Sequence, residues 1–210
     1  MLKKFALIGY SGFIGSNLIN FNNKKDKFNS KNINKIKKKK YDLVICAGTY
    51  SKIWLAKKYP KKNKKNINTL IKSLNNLNTK IFVLISSCEV YGDKKITTEK
   101  QSLNNHKLNN YGKNRLYLEN YCKKKFSCLH IIRLPIVYGK NFSKNFIFDL
   151  LNNNDISRLN GSDKVQIYNV KNLKKDINFV LKKKNSRVEY IFTSIIYQLY
   201  CSEIFQKNFK

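Results

Sequence analysis

The sequence predicts an α/β chain: a Rossmann-type, doubly wound parallel sheet with a small, reduced C-terminal lobe. Two observations carry this. The apolar run Phe5 to Ile8 ends in a glycine cluster, Gly9, Gly12 and Gly15. Apolar strands then alternate with helically spaced apolar residues, the pattern of a parallel sheet covered on both faces.

The elements follow in order. Phe5 to Ile8 reads as a buried parallel strand. Gly15 to Phe21 has helical spacing. A short strand is expected near Lys27 to Ser30, where few residues are apolar. Tyr41 to Ala47 and Lys80 to Ser86 are clear strands. Between them, Ile67, Leu70, Ile71, Leu74 and Leu77 line one face of a helix over Asn66 to Leu77. Tyr111 to Tyr121 reads as a helix and Cys128 to Leu134 as a strand. Phe146 to Leu151 and Leu173 to Leu181 are further helices. After about Gly139 strand alternation is weak. The expected division is therefore a dinucleotide-binding domain over 1–140 and a C-terminal lobe over 141–210, partly interleaved with the sheet.

Composition narrows the partners. The chain has 210 residues, 42% of them hydrophobic, enough for a packed core. It carries 43 Lys and Arg against 12 Asp and Glu, a net charge of +31. Such a surplus raises nucleic-acid binding. Nearly all of it is lysine, however, mixed with Asn and Ile, whose codons are all A- and T-rich. Arg115, Arg133, Arg158 and Arg187 are the only arginines and are scattered, whereas base readers favour the guanidinium fork. No specific nucleic-acid partner is expected. The five cysteines (Cys46, Cys88, Cys122, Cys128 and Cys201) form no Cys-x-x-Cys pair, which suggests reduced thiols in a cytoplasm. His106 and His130 lack metal-ligand spacing, and no metal is expected. No apolar run approaches the roughly 18 residues of a span, so no membrane partner is expected either.

The glycine loop Gly9-Tyr10-Ser11-Gly12-Phe13-Ile14-Gly15 carries the first chemistry. A first glycine permits a tight turn, a second lets a pyrophosphate approach the backbone, and a third lets helix and strand pack closely. A helix opening here offers amides to the phosphates. The implied ligand is NAD or NADP; the plain alternative is a structural glycine turn. In an NAD site an acid about 20 residues on would bind the ribose. Asp26 lies too early for that. Ser30 and Lys31 stand there instead, which leans toward the 2′-phosphate of NADP, unless Lys31 is one more solvated lysine.

Several motifs in order resemble the extended short-chain dehydrogenase/reductase family, the NAD-dependent epimerases, dehydratases and reductases that modify nucleotide-sugars. The glycine loop is the first. Asp42-Leu43-Val44-Ile45-Cys46-Ala47-Gly48 resembles the fourth strand, whose end lies over the cofactor. Asn66 falls where the family has an asparagine opening a helix. Leu84-Ile85-Ser86-Ser87-Cys88-Glu89-Val90-Tyr91-Gly92 resembles the catalytic-serine strand. Tyr111-Gly112 is similar to the start of the active-site helix, and Arg133-Leu134-Pro135-Ile136-Val137-Tyr138-Gly139 to the entry into the substrate lobe. The resemblance implies cofactor contacts from Gly9, Ser11, Gly12, Phe13, Ile14, Gly15, Ser30, Lys31, Cys46, Ala47, Gly48, Asn66 and Pro135.

It also implies an active site. Ser87 would hydrogen-bond the substrate oxygen. Tyr111 would exchange a proton with a carbonyl or alcohol while hydride moves to or from the nicotinamide. The family has Lys four residues after that tyrosine, on the same helix face. Here the residue is Arg115, while Lys113 points elsewhere. Arginine keeps the charge but does not release its proton. Two readings stay open: hydride transfer at a sugar carbon of a nucleotide-sugar, or a catalytically weak NAD(P)-binding scaffold or sensor. Cys46, Cys88 and Tyr91 are expected to be structural. Ile167 to Leu173 resembles a strand-to-helix entry, with Asn172 where the family often has Asp, and Ser202-Glu203-Ile204 the start of a later helix. A homodimer is expected by analogy alone.

Overall fold

The computed structural model describes residues 3–22, 25–49, 53–92, 103, 108–140, 142, 146–152, 164–183, 187–191 and 194–198. His106, Arg158, Cys201 and the Ser202 to Ile204 segment lie outside them.

Six parallel strands form the main sheet: β1 (Phe5–Ile8), β2 (Lys25–Phe28), β3 (Lys40–Cys46), β4 (Asn78–Ser87), β5 (Leu129–Leu134) and β8 (Arg187–Ile191). Their order is β2-β1-β3-β4-β5-β8. All four residues of β1 are buried, as a central strand covered on both faces requires. Alternate residues feed opposite layers. Ala6, Val44 and Phe82 face Ile67 and Leu70 of α3 (Pro60–Leu74) and Leu118 of α4 (Asn110–Lys125). Leu7, Leu43 and Val83 face Leu18, beyond α1 (Phe13–Asn17), and Ile177 of α6 (Leu173–Leu181). Residues 29–39 hold no strand, so the segment resembling a fourth strand is the third in this chain.

The small sheet holds β6 (Ile136–Tyr138), β7 (Lys164–Asn169) and β9 (Ser194–Gln198), in the order β6-β7-β9. The chain after residue 139 therefore divides between this sheet and the last strand of the main one. α2 (Ile53–Lys58) follows β3, and α5 (Phe146–Leu151) follows β6.

Some boundaries differ from those read in the sequence. α1 begins at Phe13 and stops at Asn17, short of Phe21. The side chains of Ser16 and Asn17 both donate to the Phe13 carbonyl (2.9 Å each), competing with further helix. β2 sits two residues early, over Lys25–Phe28. α3 starts six residues early because Pro60, at its first turn, presets the helical φ.

A fully buried arginine ties two strands of the main sheet to α4 and to the turn after β4. Arg133 of β5 is 0% exposed. Its Nε and Nη2 donate to the two carboxylate oxygens of Glu119 on α4 (3.1 and 2.7 Å). Nη1 donates to the Tyr91 hydroxyl (2.6 Å) and pairs with Glu189 of β8 (2.6 Å). Lys123 also pairs with Glu189. Loss of Glu119 would take away the bidentate carboxylate and leave the buried guanidinium with Glu189 alone for counter-charge. Glu119→Gln should lower unfolding free energy by about 3 kcal/mol in urea titrations. Arg133→Met combined with Glu119→Leu should cost clearly less.

His130, also on β5, is buried with its Nδ1 unpartnered, and burial holds its pKa below 6.5. The unfolded chain then binds more protons at acid pH, so stability declines as pH falls below about 6.5. The slope should approach about 1.4 kcal/mol per pH unit at most. His130→Leu should flatten the drop in urea midpoint between pH 6.5 and 5; an unchanged slope would clear His130.

Candidate active site

The strand order reverses between β1 and β3, which opens a crevice over their carboxyl ends. The glycine loop forms one wall. Gly9 has φ +85, and its amide donates to the Phe28 carbonyl (2.7 Å). A Cβ on Gly9 would lie 2.4 Å from the Ala47 carbonyl oxygen. One on Gly15 would lie 2.0 Å from the Gly9 carbonyl oxygen. Both positions are closed to any side chain. Gly12 differs: it is exposed, and its Cβ would meet no protein atom nearer than 3.5 Å. Packing within the fold does not demand glycine at this position, which leaves the loop open there.

The other cofactor candidates surround this crevice. Ser11 is exposed on the loop. Ile14 packs against the second core cluster, while the Phe13 ring meets Phe142 (6.5 Å), which meets Phe148 of α5 (5.6 Å). Ala47 and Gly48 follow β3. Cys46 is buried, and burial pushes its thiol up to about 11, so its side chain belongs to the core. Pro135 is half-buried between β5 and β6. Ser30 and Lys31 are exposed just past β2. Asn29 organises them: it accepts from the Lys31 amide (2.9 Å) and donates to the Tyr10 hydroxyl (3.3 Å). Asp26 lies within β2, bound to Tyr41 (2.5 Å) and Lys39 (3.0 Å). The Tyr41 hydrogen bond is the main reason its carboxyl titrates below the usual range.

A dinucleotide fits these residues on two grounds. The loop presents an open glycine on a rigid base. Three buried polar atoms also lack a hydrogen-bond partner among the described residues: Thr49 Oγ1, Asn66 Nδ2 and Ser86 Oγ. Buried polar atoms seldom go unpaired.

Two of the catalytic candidates, Tyr111 and Arg115, meet on α4, and Arg115 reaches β4. Ser87 closes the strand, and its Oγ accepts from the Glu89 amide (3.3 Å). Tyr111 and Arg115 lie one turn apart on α4, both buried. Arg115 Nη2 donates to the Tyr111 hydroxyl (2.8 Å), and Nη1 donates to the Ile85 carbonyl (3.4 Å). The guanidinium also lies 4.9 Å from the Tyr111 ring centre. Lys113 is exposed.

Asn109, which the sequence reading passed over, holds this arrangement together with Glu89. Asn109 caps α4 by accepting from the Gly112 amide (2.9 Å), and its Nδ2 donates to the Glu89 carboxylate (2.9 Å). A Cβ on Gly112 would lie 2.4 Å from the Glu89 carbonyl oxygen, so the first turn of α4 rests on the 88–91 turn. An asparagine three residues before Gly112, just ahead of a helix, was the available signal. Cys88 donates to the Arg133 carbonyl at 3.7 Å. Among the described residues, no three His, Cys, Asp or Glu are grouped to hold a metal, and no helix is long and apolar enough to cross a membrane.

Comparison with known proteins then gives the following. No curated protein matches the sequence. Among solved structures, MoeE5 in complex with UDP-glucose and NAD is similar, with TM-score 0.74 and 15% identity over 91% of this chain and 76% of that one. The dTDP-4-dehydrorhamnose reductase of Bacillus anthracis in complex with NADP is similar, with TM-score 0.72 and 18% identity over 93% and 76%. The UDP-glucuronic acid 4-epimerase of Bacillus cereus in complex with NAD has TM-score 0.71 and 16% identity over 92% and 78%. At these identities the likeness is one of fold. The family model of the NAD dependent epimerase/dehydratase family matches residues 6–186, and the chain belongs to that family.

Proposed function

We propose that this chain binds NAD or NADP along the Gly9 to Gly15 loop and oxidises or reduces a sugar carbon of a nucleotide-sugar. The observation that carries the reading is the Arg115 to Tyr111 hydrogen bond beside the end of β4. When bound, the nicotinamide supplies or accepts hydride. Ser87 orients the substrate oxygen. Tyr111 gives or takes the hydroxyl proton, with the Arg115 cation stabilising the phenol oxygen while the proton is away. Asn66, Thr49 and Ser86 offer their unpartnered groups to the ligands. Ser30 and Lys31 favour a 2′-phosphate. The reading places the protein in the cytoplasm, where the free thiols of Cys46, Cys88, Cys122 and Cys128 stay reduced.

A second reading, a cofactor-binding scaffold or sensor, is favoured by one observation. Arg115 is fixed to both Tyr111 and the Ile85 carbonyl and cannot shed a proton to a relay. Arg115→Lys separates the two. A large rise in turnover on a nucleotide-sugar panel marks a decayed site, whereas a fall marks Arg115 as part of a working one. Tyr111→Phe should lower any turnover by about a hundredfold or more and leave cofactor binding intact.

Nicotinamide fluorescence tests the cofactor site directly. NADPH or NADH should bind saturably at moderate salt. Gly12→Asp should weaken binding by at least about tenfold without unfolding the chain, because the added carboxylate has room but faces the phosphates. Lys31→Asp should move preference from NADPH toward NADH. No binding of either cofactor would remove the whole reading.

A further inference from the structure

The outer surface of α2 has no part in the site above. Ala56 is its buried residue. At about 100° per residue, Trp54 lies about 200° around the helix from Ala56. Trp54 thus faces outward, 47% exposed, while Ile53, about 60° from Ala56, sits on the flank at 37%, and Tyr59, just past the helix, is 46% exposed. The described residues include five exposed large hydrophobics, and three of them fall within this one stretch. Concentrated apolar exposure of this kind marks a contact surface.

Its rim is uniformly basic. Lys57 and Lys58 lie one turn beyond Ile53 and Trp54, and the Lys58 ammonium sits 5.5 Å from the Tyr59 ring centre. Lys61 and Lys62 continue the exposed charge into α3. The sequence has no Asp or Glu between Asp42 and Glu89 to offset it.

We infer that this face docks on an anionic lipid bilayer, with Ile53, Trp54 and Tyr59 seated at the headgroup boundary and the lysines on lipid phosphates. The chemistry fits that occupant. Tryptophan and tyrosine settle at the membrane interface, lysine stems lie along apolar surface with their heads in water, and the lysines are drawn to anionic headgroups. A surface-lying contact needs no spanning helix, so the absence of an apolar span in the sequence does not oppose it. A nucleic-acid strand fits less well. The face is the convex side of a helix, not a groove; isoleucine has no ring to stack on bases; and the charges are lysines. Because α2 follows β3 closely, docking would set the carboxyl edge of the sheet, with its crevice, beside the bilayer.

Trp54 is the only tryptophan, so its emission reports this face alone. The full chain is titrated with vesicles of phosphatidylcholine and with vesicles containing 30% phosphatidylglycerol, at about 0.1 M salt. The expected result is a blue shift and cosedimentation with the anionic vesicles only. Reversing Lys57, Lys58, Lys61 and Lys62 to Glu should weaken partitioning at least about a hundredfold. Reversing four exposed lysines elsewhere (Lys35, Lys37, Lys182 and Lys183) should weaken it far less. Trp54→Ala with Ile53→Ala should weaken cosedimentation with circular dichroism unchanged. Equal losses from both lysine sets would mean nonspecific charge attraction and overturn the inference. So would cosedimentation without a Trp54 shift, a shift with single-stranded DNA but not vesicles, or a shift that follows protein concentration alone and reports self-association.

Discussion

The buried guanidinium of Arg133 is the constraint on which the active-site geometry rests. A charge with no exposure must be neutralised where it stands. Here the partners come from α4, β8 and the turn after β4. Burial works against the charge, but the Glu119 and Glu189 carboxylates outweigh it and raise the arginine's pKa. Each partner is thereby set relative to β5. Glu119 fixes the rotation of α4 and hence which face carries Tyr111 and Arg115. Tyr91 fixes the turn that begins at Ser87. Replacing such a cluster with apolar groups is often neutral for stability, so its use here lies in specifying one geometry.

Around that anchor the site divides by rigidity. The glycine loop is tight at its base, where Gly15 packs on Gly9 and Gly9 on Ala47, and open at Gly12. The catalytic side is held by side-chain bonds: Asn109 to Glu89 and to the Gly112 amide, and Arg115 to Tyr111. Between the two sides lie the unpartnered atoms of Thr49, Asn66 and Ser86. In the proposed reading a polar ligand would meet these atoms, whereas His130 leaves its unpartnered Nδ1 within the sheet.

The central strands and the glycine loop were legible because they are apolar runs closed by glycine, and all-apolar runs occur where a strand is buried on both faces. The Tyr111 and Arg115 pair was legible through the family resemblance, with Arg115 four residues on where the family has Lys. Other features were hidden for physical reasons. β2 has one buried residue in four, and β8 (Arg187–Ile191) is a short edge strand interrupted by the glutamate that serves Arg133. The early start of α3 carries lysines with no apolar period. The role of Glu119 could not be read locally, because its partner lies 14 residues on in sequence and on a different element. Asn29 acts through its amide on Lys31 and Tyr10, and only the turn after β2 brings those groups together.

Arg115 tests what the site is built to do. A lysine ammonium concentrates its donors on one atom at the end of a flexible stem. The guanidinium instead spreads its donors over a plane, and here that plane spans the Tyr111 hydroxyl and the Ile85 carbonyl. The phenol is therefore held by a cation tied to the sheet, in a fixed orientation. Such an arrangement keeps a cation on the phenol oxygen but closes the route by which a proton could pass on through that cation. Turnover in this site then requires the Tyr111 proton to leave by another path, through the substrate, a cofactor hydroxyl or water. Grip on a dinucleotide, assigned in the proposed reading to the loop across the crevice, would be independent of that path. The two functional readings therefore differ in a single proton route within one architecture.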